Sequence, residues 1–240
     1  MVVVGVDGCH GGWFAVGLSG DGSWAVGVFK SISEVTSEWS DADLILVDIP
    51  IGLRSGTYDE RERTCDREAR RLLGRGRASS VFPAPCYEAL KADSYERASA
   101  INREHTGRGL SLQSWAIAGK IAEVNGHLVA ESSGPTVREV HPEVCFWALN
   151  GCQPMQHSKR TTEGQHERIQ LLDRLYSDTG ALIEYALRQH QRKQVARDDI
   201  TDALVAAVTG LDGESALESI PETPETDSKG NRMEMVYRKA

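Results

Sequence analysis

Four aspartates occur at positions from which their carboxylates can converge. Asp7 and Asp48 each close an apolar segment, and Asp199 and Asp202 are three residues apart, so they share one face of a helix. Clustered carboxylates repel one another, and a hard cation such as Mg²⁺ or Mn²⁺ offsets that repulsion. These aspartates therefore predict a divalent-metal site. Two ions about 3.5–4 Å apart in such a site can activate water and stabilise the leaving oxygen of a phosphodiester.

The segment His141-Pro142-Glu143 is predicted to lie beside this metal site, because it follows the predicted strand that ends at Val140. Glu143 can supply a fifth oxygen donor. His141 can hold or relay a proton for an attacking water. A hydrogen-bonded structural histidine is the alternative interpretation of His141.

Two groups of polar residues are candidates for binding a phosphate-containing substrate. Arg77, Ser79 and Ser80 end an arginine-rich segment and form a local basic patch that is predicted to contact phosphates. Lys159 and Arg168 flank the start of a predicted helix and can neutralise phosphate charge. An ordinary solvated surface is the alternative for both groups.

The elements that must position these residues can be predicted from apolar patterning. Short apolar segments separated by glycine-rich turns predict a three-stranded meander, followed by a helix reaching about Trp39. An uninterrupted apolar run then predicts a strand covered on both faces of a parallel sheet. Parallel strands would place Asp7 and Asp48 at the same edge. The predicted strands are residues 2–7, 13–18, 24–29, 44–48 and 137–140.

The remaining chain is predicted to be mainly helical. An apolar stripe would dock the last helix, capped by Asp198, on the sheet. The polar, Pro- and Glu-rich residues 212–230 predict an extended loop, and 233–237 an edge strand. We expect a single domain over 1–240 with a helical insertion at about 57–130. The predicted helices are residues 59–73, 86–104, 111–126, 163–176, 179–194 and 199–209.

Composition limits the classes of partner. The 240 residues carry a net charge of −8, so no whole-molecule basic field attracts nucleic acid, and any such binding depends on the local basic patch. No apolar run approaches the roughly 20 residues of a membrane helix, and the N-terminus lacks the pattern of a signal peptide. A cytoplasmic protein with no membrane partner is expected, and the sequence does not indicate an oligomeric state.

Five segments between residues 5 and 204 match a known pattern. They are Gly5–Gly8, Leu46–Gly52, Arg77–Pro83, His141–Glu143 and Asp198–Leu204. On these segments the chain resembles the family catalogued as domain of unknown function 429, described as predicted ribonuclease H-like nucleases. The resemblance implies an α/β fold with a ribonuclease H-like mixed five-stranded sheet flanked by helices. It also implies a metal-dependent nuclease whose four aspartates are metal ligands, with His141 and Glu143 as neighbours of the site.

Two other functional hypotheses remain open at this point. Gly5–Gly8 followed by Gly11-Gly12 is similar to the first phosphate loop of actin-like sugar kinases, although the chain shows no duplicated lobe. A non-catalytic protein could instead keep the fold and use its acids for a structural ion or a partner. The acidic net charge favours this third hypothesis.

Overall fold

In a computed structural model, which describes residues 1–56, 62–130 and 134–240, the five predicted strands form one mixed sheet. The strand order is β3-β2-β1-β4-β5. β1 pairs antiparallel with β2, β2 pairs antiparallel with β3, and β4 runs parallel to both β1 and β5. This confirms the α/β, ribonuclease H-like sheet. The strands are β1 (Val2–Cys9), β2 (Gly12–Ser19), β3 (Trp24–Phe29), β4 (Leu44–Asp48) and β5 (Thr136–Glu139).

The described residues also form helices. They are α1 (Ile32–Glu38), α2 (Thr64–Arg77), α3 (Tyr95–Thr106), α4 (Leu112–Ala116), α5 (Ala118–Ala130), α6 (Pro142–Leu149), α7 (Thr162–Leu175), α8 (Thr179–Gln189) and α9 (Arg197–Thr209). Helix α6 was not predicted, because all eight of its residues are buried and no polar face marks a helical period. Within the described ranges, no helix is both long and apolar enough to cross a membrane.

Helix α9 lies directly against β1, as the predicted apolar stripe requires. Its residues from Ile200 to Thr209 are all buried. Gly5 allows this close packing, since a Cβ atom there would overlap with the backbone of Ala203 and Ala207. Because the helix approaches the strand so closely, a side chain near its N-terminal end is brought beside the carboxyl end of β1.

The start of α9 differs from the prediction. The N-cap is Ala196, so the predicted cap at Asp198 is wrong. The carboxylate of Asp199 accepts a hydrogen bond from the Ala196 N–H at 2.8 Å, which satisfies a donor at the helix start and lets the helix begin at Arg197.

The chain forms two compact units. The first comprises Met1–Asp48, Ser133–Glu218 and Val236–Ala240, and it contains the five-stranded sheet with α1 and α6 to α9. The second comprises Ile49–Ser132 and Ser219–Met235, and it contains α2 to α5. The predicted helix start near residue 59 lies outside the described residues. The single domain over 1–240 with an insertion at about 57–130 stays a prediction.

The predicted loop over residues 212–230 is wrong in its central part. Glu218–Thr226 forms β6, which pairs with β7 (Arg232–Tyr237) in a separate two-stranded sheet. Two prolines and several acids make β6 look like a loop in sequence. A two-stranded sheet tolerates prolines, because each strand has an edge whose N–H groups need no ladder partner.

Candidate metal centre

The strand register places two of the predicted acids side by side. In the parallel pair of β1 and β4, Asp7 is the direct partner of Asp48. Paired residues of neighbouring parallel strands point to the same face, and both stand near the carboxyl ends of their strands, where open α/β sheets bind ligands. Asp202 lies on the buried side of helix α9, which packs against β1, and it is the third carboxylate of this group.

The three carboxylates form a group that can hold a divalent metal ion. One oxygen each from Asp7, Asp48 and Asp202 lies within 4.8 Å of the others. Opposite ligands of Mg²⁺, each at about 2.1 Å, are about 4.2 Å apart, so small side-chain rotations would close the three oxygens around one ion. Asp202 is 2% exposed, and its buried Oδ1 has no hydrogen-bond partner in the part of the chain that the structure describes.

The electrostatics of this group favour a bound cation. Burial raises the pKa of Asp7 well above its usual value, and the charges of Asp48 and Asp202 raise it further. Burial raises the pKa of Asp48 to about 6 and that of Asp202 to about 6, although the positive charge of Lys159 opposes both shifts. Each carboxylate is thus difficult to ionise beside the others unless further positive charge is supplied.

Lys159 already supplies one positive charge to the group. Its Nζ donates to Asp202 Oδ2 at 2.5 Å, and its side chain is 38% exposed. Burial lowers the pKa of Lys159, but the charge and hydrogen bond of Asp202 together with the charges of Asp48 and Asp7 outweigh burial, so the net shift of the pKa is upward. The side chain is therefore an ammonium in contact with Asp202. This pairing was not anticipated from the sequence, in which the two residues are 43 positions apart.

Asp199 is placed differently from the other three aspartates. Among the described residues, the group within 4.8 Å comprises Asp7, Asp48 and Asp202. Burial raises the pKa of Asp199 to about 6, while its carboxylate accepts the Ala196 N–H. Its role as a metal ligand stays a prediction.

Glu143 and Arg168 form a buried ion pair near the acids. Arg168 Nη2 donates to Glu143 Oε1 at 2.5 Å, and the two residues are 1% and 5% exposed. The charge of Glu143 contributes to the raised pKa of both Asp48 and Asp202, which places it close to them. Since the Arg168 guanidinium is enclosed by protein, its predicted contact with phosphate stays a prediction.

The remaining candidates are His141 and the basic patch of Arg77, Ser79 and Ser80. His141 is the half-buried N-cap residue of α6, and its carbonyl accepts the N–H groups of Val144 and Cys145. Arg77, at the end of α2, is followed by Ser79 and Ser80 in a short 3₁₀ turn. Arg77, Ser79 and Ser80 belong to the second compact unit, whereas His141 and the three acids belong to the first. The roles predicted for these residues stay predictions.

Comparison with known proteins agrees with the resemblance seen in the sequence. No curated protein and no solved structure matches the chain. A family model described as "Protein of unknown function (DUF429)" matches residues 5–226 and so spans all three carboxylates. Since that match covers nearly the whole sequence, the chain belongs to this family.

Proposed function

We propose that the protein is a metal-dependent nuclease that hydrolyses phosphodiester bonds of nucleic acid. One observation carries this proposal: Asp7, Asp48 and Asp202 converge at the carboxyl edge of the sheet, and Asp202 Oδ1 is buried there without a partner among the described residues. A buried anionic oxygen without a donor is unfavourable unless a ligand completes it. Carboxylate oxygens are the donors that Mg²⁺ and Mn²⁺ prefer.

The residues of the site fit a divalent ion, and each would have a different role around it. A bound ion supplies Lewis acidity toward a phosphoryl oxygen and a water molecule. Asp7, Asp48 and Asp202 would hold the ion. The ammonium of Lys159 can donate to a phosphoryl oxygen, because its contact with Asp202 uses one of three N–H donors. His141 is proposed to relay the proton of the attacking water.

Two further groups of residues complete the proposal. Arg168 fixes the carboxylate of Glu143 through a charge-assisted hydrogen bond, so that the Glu143 charge faces the site in one orientation. Arg77, Ser79 and Ser80 are proposed to contact backbone phosphates of the nucleic acid, which position a substrate without reading its sequence.

The test is cleavage of a nucleic-acid panel by the purified chain. Single-stranded DNA, duplex DNA, RNA, DNA–RNA hybrid and branched DNA would each be incubated with Mn²⁺ or Mg²⁺, and with a chelator as the blank. Asp7→Asn should lower the rate by about 100-fold or more, since even partners of metal ligands contribute about 10–100-fold. Asp173→Asn, an exposed carboxylate on α7, is the matched control and should cleave as the wild type does.

Three outcomes separate this proposal from the other hypotheses. Failure to cut any substrate, together with failure to bind Mn²⁺ at millimolar concentration, would refute the nuclease and its metal site together. Mn²⁺ binding without cleavage across the panel would favour the non-catalytic metal-binding protein. Thermal stabilisation by ATP would favour the nucleotide-binding hypothesis, because a ligand that binds only the folded state raises its stability.

A further inference from the structure

Lys159 divides the carboxylate of Asp202 into two unlike oxygens. Its Nζ contacts Oδ2, whereas Oδ1 is buried and has no partner within the described ranges. One oxygen of Asp202 is therefore already neutralised by a cation of the protein, and the other is left for an added cation. Asp7 and Asp48 lie within 4.8 Å of Asp202 and can share that added cation.

The segment that precedes Lys159 is hydrogen-bonded to helix α7 through both its N–H groups and a carbonyl. The carboxylate of Glu167 accepts the N–H groups of Gln156 and His157 at 2.7 and 3.0 Å. Arg168 Nη1 donates to the carbonyl of His157 at 3.1 Å. These contacts hold the chain just before Lys159, so the ammonium extends from a fixed backbone.

The chain just after Lys159 is held as well. The carbonyl of Ser158 accepts the Thr161 N–H at 2.9 Å and the Thr161 hydroxyl at 3.0 Å. Gly164 packs so closely on this segment that a Cβ atom there would overlap with the Ser158 carbonyl. A lysine with a restrained backbone loses less conformational entropy on pairing than one on a mobile loop, which favours a persistent contact with Asp202.

We propose that Lys159 is a resident cation of the site, so that the three carboxylates bind a single divalent ion rather than two. This inference rests on the metal site of the proposed function and specifies its stoichiometry. The ion would take oxygens from Asp7, Asp48 and Asp202 Oδ1, while Lys159 keeps Asp202 Oδ2.

Charge balance supports one ion. The three carboxylates carry three negative charges, which one ammonium and one divalent ion neutralise. A second divalent ion would leave an excess of two positive charges over these three ligands, because the charge of Glu143 is already matched by Arg168. The excess is still one positive charge when the nearby carboxylate of Asp199 is counted with them. Uncompensated buried charge is strongly unfavourable. In this arrangement the ammonium takes the place that the second ion has in a two-ion site.

The experiment counts Mn²⁺ ions bound per chain by the loss of the free-ion signal in electron paramagnetic resonance. The wild type should bind one Mn²⁺. Lys159→Met should bind two at millimolar concentration and show the magnetic coupling of ions about 4 Å apart. Lys159→Arg retains a cation and should bind one. Lys193→Met, an exposed lysine outside the site, is the matched control and should also bind one.

The outcomes distinguish the single-ion inference from the metal site of the proposed function. Two coupled ions in the wild type, or a single ion in folded Lys159→Met, would overturn the inference while leaving the metal site of the proposed function intact. No binding by the wild type would remove the metal site itself and the proposed function with it. The wild-type count is decisive even should Lys159→Met fail to fold.

Discussion

Replacing Gly5 by alanine tests the contact that brings Asp202 to the sheet edge. A Cβ atom on Gly5 would lie 2.0 Å from the carbonyl oxygen of Ala203. Carbon and carbonyl oxygen atoms in close contact are normally about 3.3–3.6 Å apart, so helix α9 and strand β1 must separate by about 1 Å or more. The opposing atoms belong to the backbone, which no side-chain rotation can move away.

The energetic consequence of this separation has two parts. Overpacking of a well-filled core destabilises a protein by about 1–3 kcal/mol, and backbone overlap belongs at the upper end of that range. Asp202 directly precedes Ala203 on α9, so its carboxylate moves with the helix. Misplacing an active group by about 1 Å can reduce its effect by about 100-fold. We therefore expect Gly5→Ala to weaken Mn²⁺ binding by about tenfold or more.

Urea unfolding in the presence of a chelator measures the first effect, and Mn²⁺ titration of the folded protein measures the second. Gly180→Ala is the matched control, because Gly180 lies in α8 and a Cβ atom there meets nothing within 4 Å. That variant should be stabilised by up to about 1 kcal/mol through helix propensity and should bind Mn²⁺ as the wild type does. If Gly5→Ala is as stable as the wild type and binds Mn²⁺ as tightly, the close packing of α9 on β1 is refuted.

The raised pKa values and the buried ion pair lead to two more predictions. Folded Asp48 and Asp202 have a pKa of about 6, above the unfolded value, so the stability they contribute is present at low pH and lost as the pH rises through about 6. From pH 5 to pH 7.5 the metal-free protein should lose about 1 kcal/mol of unfolding free energy per carboxyl. Saturating Mn²⁺ should abolish this loss. The same dependence of the unfolding free energy on pH with and without Mn²⁺ would contradict the prediction. Arg168→Met should destabilise the protein by about 3–5 kcal/mol in urea unfolding, because it leaves Glu143 buried and charged, and adding Glu143→Gln should restore part of the loss. Arg174→Met, exposed on the same helix, is the control, and a similar small effect in both arginine variants would show that the buried pair is unimportant.

The sheet and two of its acids could be predicted because local patterns determine them. An apolar run that ends in an aspartate marks a strand in both cases: Asp48 is the last residue of β4, and β1 continues past Asp7 to Cys9. Once the strands are parallel neighbours, the two carboxylates must meet. Asp202 could be predicted from helical spacing, since an apolar stripe determines which face of α9 contacts the sheet. The same spacing does not distinguish Asp202 from Asp199, which lies one turn earlier and accepts a backbone N–H.

The elements that were missed lack a periodic pattern. Helix α6 is buried along its whole length, so its sequence alternates neither with the helical nor with the strand period. Strand β6 has the composition of a loop and is stabilised by pairing with β7, a tertiary interaction that its own residues do not reveal. In both cases the surroundings of the element, rather than its own propensity, determine its structure.

The number of metal ions that the acid cluster binds is likewise determined by tertiary contacts. Three carboxylates at a sheet edge would look alike in sequence whether they held one ion or two. The difference lies in Lys159, whose position depends on a segment without regular structure that Glu167 and Arg168 hold from α7. In sequence, Lys159 is one of many charged residues, and only the folded chain brings it to Asp202. The single ion that we propose for this cluster therefore depends on a cation that only the folded chain brings to Asp202.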